Sequence, residues 1–183
     1  MKWVEAYMQD VLEAAGHVDL NDVCETVRVL NESADEGRTV FVIGNGGSAA
    51  NASHLAQDLC KSGCRALSLT DNTAFITALS NDIGYDEVFT RQLERFAHPE
   101  DILLAISTSG KSPNILHAVD FARSNQLMVI SMTGFDGAEL GRQSDLHLNV
   151  PIDDVCKAEA VHGILMHMIS ELIKVKRTEK ESS

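Results

Sequence analysis

Cationic side chains are scarce in this sequence: 15 Lys and Arg stand against 27 Asp and Glu over 183 residues, a formal net charge of −12. That balance argues against nucleic acid or an anionic membrane surface as a direct partner. Any anionic ligand must then be held by local donors, and backbone amides at helix N-termini are the first candidates. No apolar run approaches the length needed to span a bilayer. The N-terminal MKWVEAYMQDVLEAAG scatters acidic residues where a signal peptide would carry an apolar core. The four cysteines (Cys24, Cys60, Cys64, Cys156) form no CxxC pair and no zinc ribbon, so reduced thiols in a cytoplasmic protein are the simplest reading.

Hydrophobic residues make up 44% and charged residues 23% of the chain, ordinary for one globular domain with a proper core. Residues 1–36 lack proline and show helical periodicity. Trp3, Ala6, Tyr7, Val11 and Leu12 share one face, and Val23, Val27, Val29 and Leu30 mark a second amphipathic stretch. Asp19 and Asn21 supply N-cap chemistry between the two. From Thr39 short apolar runs alternate with helical segments: TVFVI (39–43), ALSL (66–69), DILLAIS (101–107), MVISMT (128–133) and LHLNV (146–150). Helices are expected over Gly47–Lys61, Asn72–Ser80, Tyr85–Phe96, Ser112–Ser124 and Asp153–Val175. The pattern predicts an α/β fold, a parallel sheet covered on both faces. The chain reads as a single domain: a helical extension (1–36), an α/β core (37–176) and a frayed, solvated tail (177–183).

Two loops could hold a phosphate. GNGGSA (44–49) fits G-x-G-x-x-A, so a dinucleotide site must be weighed. The next acidic residue, Asp71, comes late for a ribose-binding carboxylate, and no Gly-Lys-Ser/Thr follows to make a Walker A loop. The second loop, STSGKS (107–112), crowds Ser107, Thr108, Ser109 and Ser112 at the C-terminal end of a strand, where ligands of open α/β sheets sit. Four hydroxyls exceed what one helix cap requires. Together with N-terminal amides they make a phosphate cradle without a fixed cation. Lys111 is read as pointing to solvent.

GNGGSAANASH, SNDIGYDEVF, ISTSGKSPNIL and EAVHGILMH together resemble the sugar isomerase (SIS) domain family, and within it the phosphoheptose isomerases. The resemblance covers nearly the whole chain. It implies a three-layer, flavodoxin-like sandwich around a five-stranded parallel sheet, assembled as a homotetramer with sites shared between subunits. It implies conversion of sedoheptulose 7-phosphate to D-glycero-D-manno-heptose 7-phosphate for bacterial surface sugars such as lipopolysaccharide. Asn45, Gly46, Gly47 and Ser48 would line the substrate, Asn81 and Asp82 would contact sugar hydroxyls, and Ser107, Thr108, Ser109 and Ser112 would take the phosphate. One branch of the family, sharing the A-A-N-A-x-H run at 49–54, resembles non-catalytic regulators that bind the replication initiator DnaA. That branch lacks a carboxylate at the Asp58 position. An isomerase for a different phosphosugar is the third reading.

Aldose–ketose isomerisation needs a base, an acid for the oxygens, and stabilisation of developing charge. His54 and Asp58, four apart, share a helix face. Glu159, His162 and His167 lie on the C-terminal helix, with Glu159 and His167 within about 80° of each other around its axis. Two helices could present these groups to one cavity as a zinc set. From spacing alone, a surface ion pair is equally compatible. The resemblance implies that zinc is held by His54, Asp58, Glu159 and His167, with Asp58 and His167 as the acid/base pair and with Asp58 and Glu159 also facing substrate. Two positions depart from the family pattern: Asp58 replaces a Glu and Glu159 a Gln. Cys60 and Cys64 are read as packing residues, His98 as a loop residue before Pro99, and His117 and His147 as lying in predicted elements without matched partners.

Overall fold

A computed structural model describes residues 1–181, excluding the side chain of Glu181. Two helices, α1 (Lys2–Gly16) and α2 (Leu20–Asp35), precede five strands: β1 (Thr39–Gly44), β2 (Arg65–Ser68), β3 (Ile102–Ser107), β4 (Met128–Thr133) and β5 (Leu146–Asn149). Between and after the strands run α3 (Gly47–Lys61), α4 (Thr73–Asp82), a 3-10 turn (Tyr85–Glu87), α5 (Thr90–Phe96), α6 (Pro113–Ser124), α7 (Ala138–Gln143) and α8 (Val155–Glu181). All pairings are parallel, in the order β2-β1-β3-β4-β5. Asp19 caps α2 as its position between two amphipathic stretches predicts, accepting from the Asn21 amide at 2.8 Å.

The apolar strands alternate their faces and so build two cores. Val40, Val42, Leu104 and Ile106 join Leu55, Leu59, Leu165 and Ile169 under α1, α2, α3 and α8. Phe41, Ile43, Leu103 and Ala105 join Ile115, Val119 and Leu93 under α5 and α6. β1, β3 and β4 are buried on both sides, which explains their unbroken apolar runs.

Several elements differ from the sequence expectation. α7 was not anticipated, being six residues entered through left-handed Gly137. The tail is helical rather than frayed: α8 continues to Glu181 because Arg177 and Lys180 pair with Asp35 at 3.2 and 2.7 Å. Ser182 and Ser183 lie outside the described residues. On α1 it is Val11 and Ala14 that are buried, while Trp3, Val4, Met8 and Leu12 are exposed. Cys64 is buried, and burial raises its thiol to about 11, whereas Cys60 is exposed. His117 and His147 have partners after all, Glu87 at 3.0 Å and the Thr133 hydroxyl at 2.6 Å.

His162 pins α8 to the sheet. It is fully buried, and its Nε2–H donates to the Thr133 carbonyl at 3.0 Å, while Nδ1 has no partner among the described residues. Burial opposes a charged ring, so its pKa is pushed down to about 4. The unfolded chain therefore takes up this proton first. His162's contribution to stability is complete above about pH 6.5 and is lost as pH falls toward 4. It amounts to roughly 3 kcal/mol. Urea unfolding measured between pH 6.5 and 4 should show this slope, and His162→Leu should flatten it; an unchanged slope would place the titration elsewhere.

Candidate active site

The chain leaves β1 for α3 on one face of the sheet and leaves the adjacent β3 for α6 on the other, so the two loops diverge. Such a switch point opens a crevice at the carboxyl ends of the strands. Here the crevice is a cleft of about 250 Å³. Asn45–Ser48 line it from the first loop, Ser107–Ser109 and Ser112 from the second, and Val155 and Glu159 from α8. All eight residues expected of the two loops are thus brought together.

Neither helix start at this cleft is capped by a side chain. Gly46 holds the N-cap position of α3 at φ 56°, where a side chain would be strained. Ser112 holds that of α6, followed by Pro113, yet its hydroxyl makes no cap bond and lies 3.4 Å from the Ser107 hydroxyl. Uncapped first turns and several hydroxyls facing one cleft favour an anion. Gly44 is required by close approach, since a Cβ there would come within 2.4 Å of the Ser48 carbonyl oxygen.

Asn45 is held by residues the sequence reading did not single out. Its amide exchanges two 2.9 Å hydrogen bonds with the buried Asn114 amide, and the Tyr85 hydroxyl donates to its Oδ1 at 2.8 Å. Both lie inside recognisable motifs, but partners 69 and 40 residues away leave no local signal. Asn81 and Asp82 are not brought to the cleft. They are exposed at the end of α4, where Asn81 donates to Asp82 at 2.8 Å.

Further along α3 and α8 a second group assembles. Asp58 Oδ2 lies 3.4 Å from His54 Nε2 and 3.3 Å from His167 Nδ1, and the two rings meet edge to face at 4.9 Å. Asp58 is nearly covered, and Gln57 donates to its other oxygen at 3.2 Å, while both imidazoles are half exposed. One donor atom from each of the three residues lies within 4.8 Å of the others, a fit for a divalent ion with positions left open. Glu159, expected as the fourth ligand, is not among them. Its carboxylate packs on Gly47 in the cleft, so close that a Cβ at Gly47 would meet Oε2 at 2.3 Å. Eight residues of helix rise about 12 Å, so sharing a face with His167 does not bring the side-chain ends together.

The SIS domain family model matches residues 4–134. The chain is 36% identical over 156 residues to the phosphoheptose isomerase of Helicobacter pylori (strain P12), covering 82% of this chain and 81% of that protein. It is 32% identical to the phosphoheptose isomerase of Syntrophotalea carbinolica, covering 93% and 92% of the two chains. The solved phosphoheptose isomerase GmhA from Neisseria gonorrhoeae superposes with a TM-score of 0.91 at 30% identity, over 95% of this chain and 98% of that one.

The uncapped position of Ser112 is testable apart from activity. Ser112→Ala should change the unfolding free energy by less than about 0.5 kcal/mol, whereas a capping residue costs about 1. Asn72, which does cap α4 by accepting from the Phe75 amide at 3.0 Å, is the internal standard. Equal losses for Ser112→Ala and Asn72→Ala in chemical denaturation would return Ser112 to a capping role.

Proposed function

Because the chain belongs to the SIS domain family and, within it, to the phosphoheptose isomerases, we propose that it interconverts sedoheptulose 7-phosphate and D-glycero-D-manno-heptose 7-phosphate. The observation that carries this reading is the placement of two unlike sites along one pair of helices. Gly47 and His54 are seven residues apart on α3, and Glu159 and His167 eight apart on α8, each close to two full turns. The phosphate cleft and the His–Asp–His group therefore face the same groove between α3 and α8, about 10–12 Å apart along the helices. A substrate that uses both must carry its phosphate many bonds from its carbonyl. An acyclic seven-carbon sugar phosphate does so.

In this reading the serine loop and the first turn of α3 hold the phosphate. Asn45, fixed by Asn114 and Tyr85, meets the sugar hydroxyls nearest to it. The reaction shifts a proton between neighbouring carbons through an enediol(ate). Asp58 and His167 are its acid/base pair: the carboxylate takes the carbon-bound proton, and the imidazole moves a proton between the two oxygens. His54 flanks the same Asp58 oxygen and holds it in place. Zinc or a similar divalent ion, when bound by His54, Asp58 and His167, would polarise the carbonyl oxygen.

The exposed apolar residues of α1 (Trp3, Val4, Met8, Leu12) support a homo-oligomer, which we take to be a tetramer. Asn81 and Asp82, exposed and not lining their own chain's cleft, are then available to a neighbour's site. No helix among the described residues is long and apolar enough to cross a membrane. Free thiols at all four cysteines suit the cytoplasm.

Asp58→Asn and His167→Ala should each lower turnover of sedoheptulose 7-phosphate by about 10²–10⁴-fold. Wild-type rates in either variant would remove it from the acid/base pair. Elemental analysis should find a divalent metal in the wild type that is depleted in His54→Ala, and an equal content in both would move the metal elsewhere. Light scattering should give a tetrameric mass, and Leu12→Lys should shift it downward; a wild-type monomer would refute assembly through α1.

A further inference from the structure

The cleft poses an electrostatic problem. Among the described residues that line it there is no lysine or arginine, and its one charged side chain is Glu159, an acid. The three atoms nearest to a notional Cβ on Gly47 are the carboxyl carbon and both oxygens of Glu159, at 2.3–2.6 Å. The carboxylate thus lies against the first residue of α3, beside the uncapped turn that should receive the phosphate.

The backbone beneath this side chain is fixed from two directions. Asn51 Nδ2 donates to the Glu159 carbonyl at 3.2 Å, which ties α8 to α3 at that level. One turn further, buried His162 ties α8 to the end of β4. Little freedom remains except rotation about the side-chain bonds of Glu159, which is only half buried.

We propose that Glu159 is an internal competitor for the phosphate: its carboxylate fills the anion site of the free protein and must swing aside when substrate enters. This proposal rests on the phosphosugar reading above for its ligand. A carboxylate at a helix N-terminus gains from the same amide dipoles that would favour phosphate. Left in place, it would face the incoming dianion at short range in a partly desolvated cleft, where repulsion is strong. Glu159 accordingly lowers the affinity for the phosphate end of every ligand. Binding then depends more on contacts along the rest of the sugar, so short or bare phosphates are disfavoured.

The test is titration calorimetry with inorganic phosphate at low ionic strength, comparing the wild type with Glu159→Gln and Glu159→Ala. Both variants should bind phosphate about tenfold more tightly, the order expected from removing one nearby like charge. The difference should shrink at about 1 M salt, where charges are screened within a few ångströms. The KM for sedoheptulose 7-phosphate should fall with the phosphate Kd. Equal or weaker phosphate binding by both folded variants would overturn the proposal and leave the isomerase reading standing. Phosphate binding by none of the three proteins, with turnover intact, would overturn it too, by moving the phosphate out of this cleft. Tighter binding by the variants with no isomerase turnover in the wild type would keep the competitor and sink the substrate assignment.

Discussion

The divergence of β1 and β3 governs everything functional in this molecule. The two strands are hydrogen-bonded neighbours, with Gly44 level with Ile106, yet their helices leave toward opposite faces. Loops that part in this way cannot pack on each other, so the strand ends stay open and the first turns of α3 and α6 face a common gap. Backbone sterics then dictate the residues. Gly44 clears the Ser48 carbonyl oxygen, Gly46 adopts a left-handed φ, and Gly47 leaves room for a carboxylate from α8. Side chains at these positions would fill the gap that the topology creates.

The second dependence is on α8, which crosses the same face as α3 and meets it at both ends of the groove. A long helix held only by apolar contacts could rotate by tens of degrees at modest cost. Directional bonds oppose this, among them Asn51 to the Glu159 carbonyl, Ser62 to the Ser170 carbonyl and His162 to the Thr133 carbonyl. The last has a cost: it leaves one ring nitrogen without a partner among the described residues, and keeping the imidazole neutral costs stability once pH falls below about 6.5. A leucine there would pack at lower cost but would set no azimuth. The azimuth is what puts His167 against Asp58 about one and a half turns later.

How much of this was legible in the sequence follows from the range of each interaction. The three central strands were readable because burial on both faces makes continuous apolar runs, the two edge strands from shorter runs, and α3 was read with both ends correct. The serine loop and the GNGGS loop were readable because each is contiguous. By contrast, α7 is a single short helix with a glycine before it and another inside it, and offers no periodicity. The last turns of α8 look solvated until Asp35 is placed beside them. The Asn45–Asn114–Tyr85 set joins residues far apart in sequence, so no window contains it. Spacing four apart is local and brought out His54 with Asp58, whereas His167, on another helix, came only from the family resemblance; the fold sets all three together. Glu159 was misplaced because an angle around the helix axis says nothing of distance along it. The apolar face of α1 was seen, but which side of it packs inward depends on α8, which periodicity does not encode.

The acidic balance of the chain acquires a meaning from these parts. With a net charge of −12, the molecule's long-range field opposes an anionic substrate. The cleft, where phosphate is proposed to bind, is lined by neutral hydroxyls and amide dipoles, whose influence fades within a turn of helix. The chemical end holds a nearly buried carboxylate between two imidazoles. Neither end attracts a ligand strongly from afar, and Glu159 weakens the first further at short range. Recognition must therefore come from a ligand that reaches both ends at once. Two helical turns separate them, and on the proposed assignment that length, more than any single contact, would favour a long-chain sugar phosphate over a shorter one carrying the same phosphate.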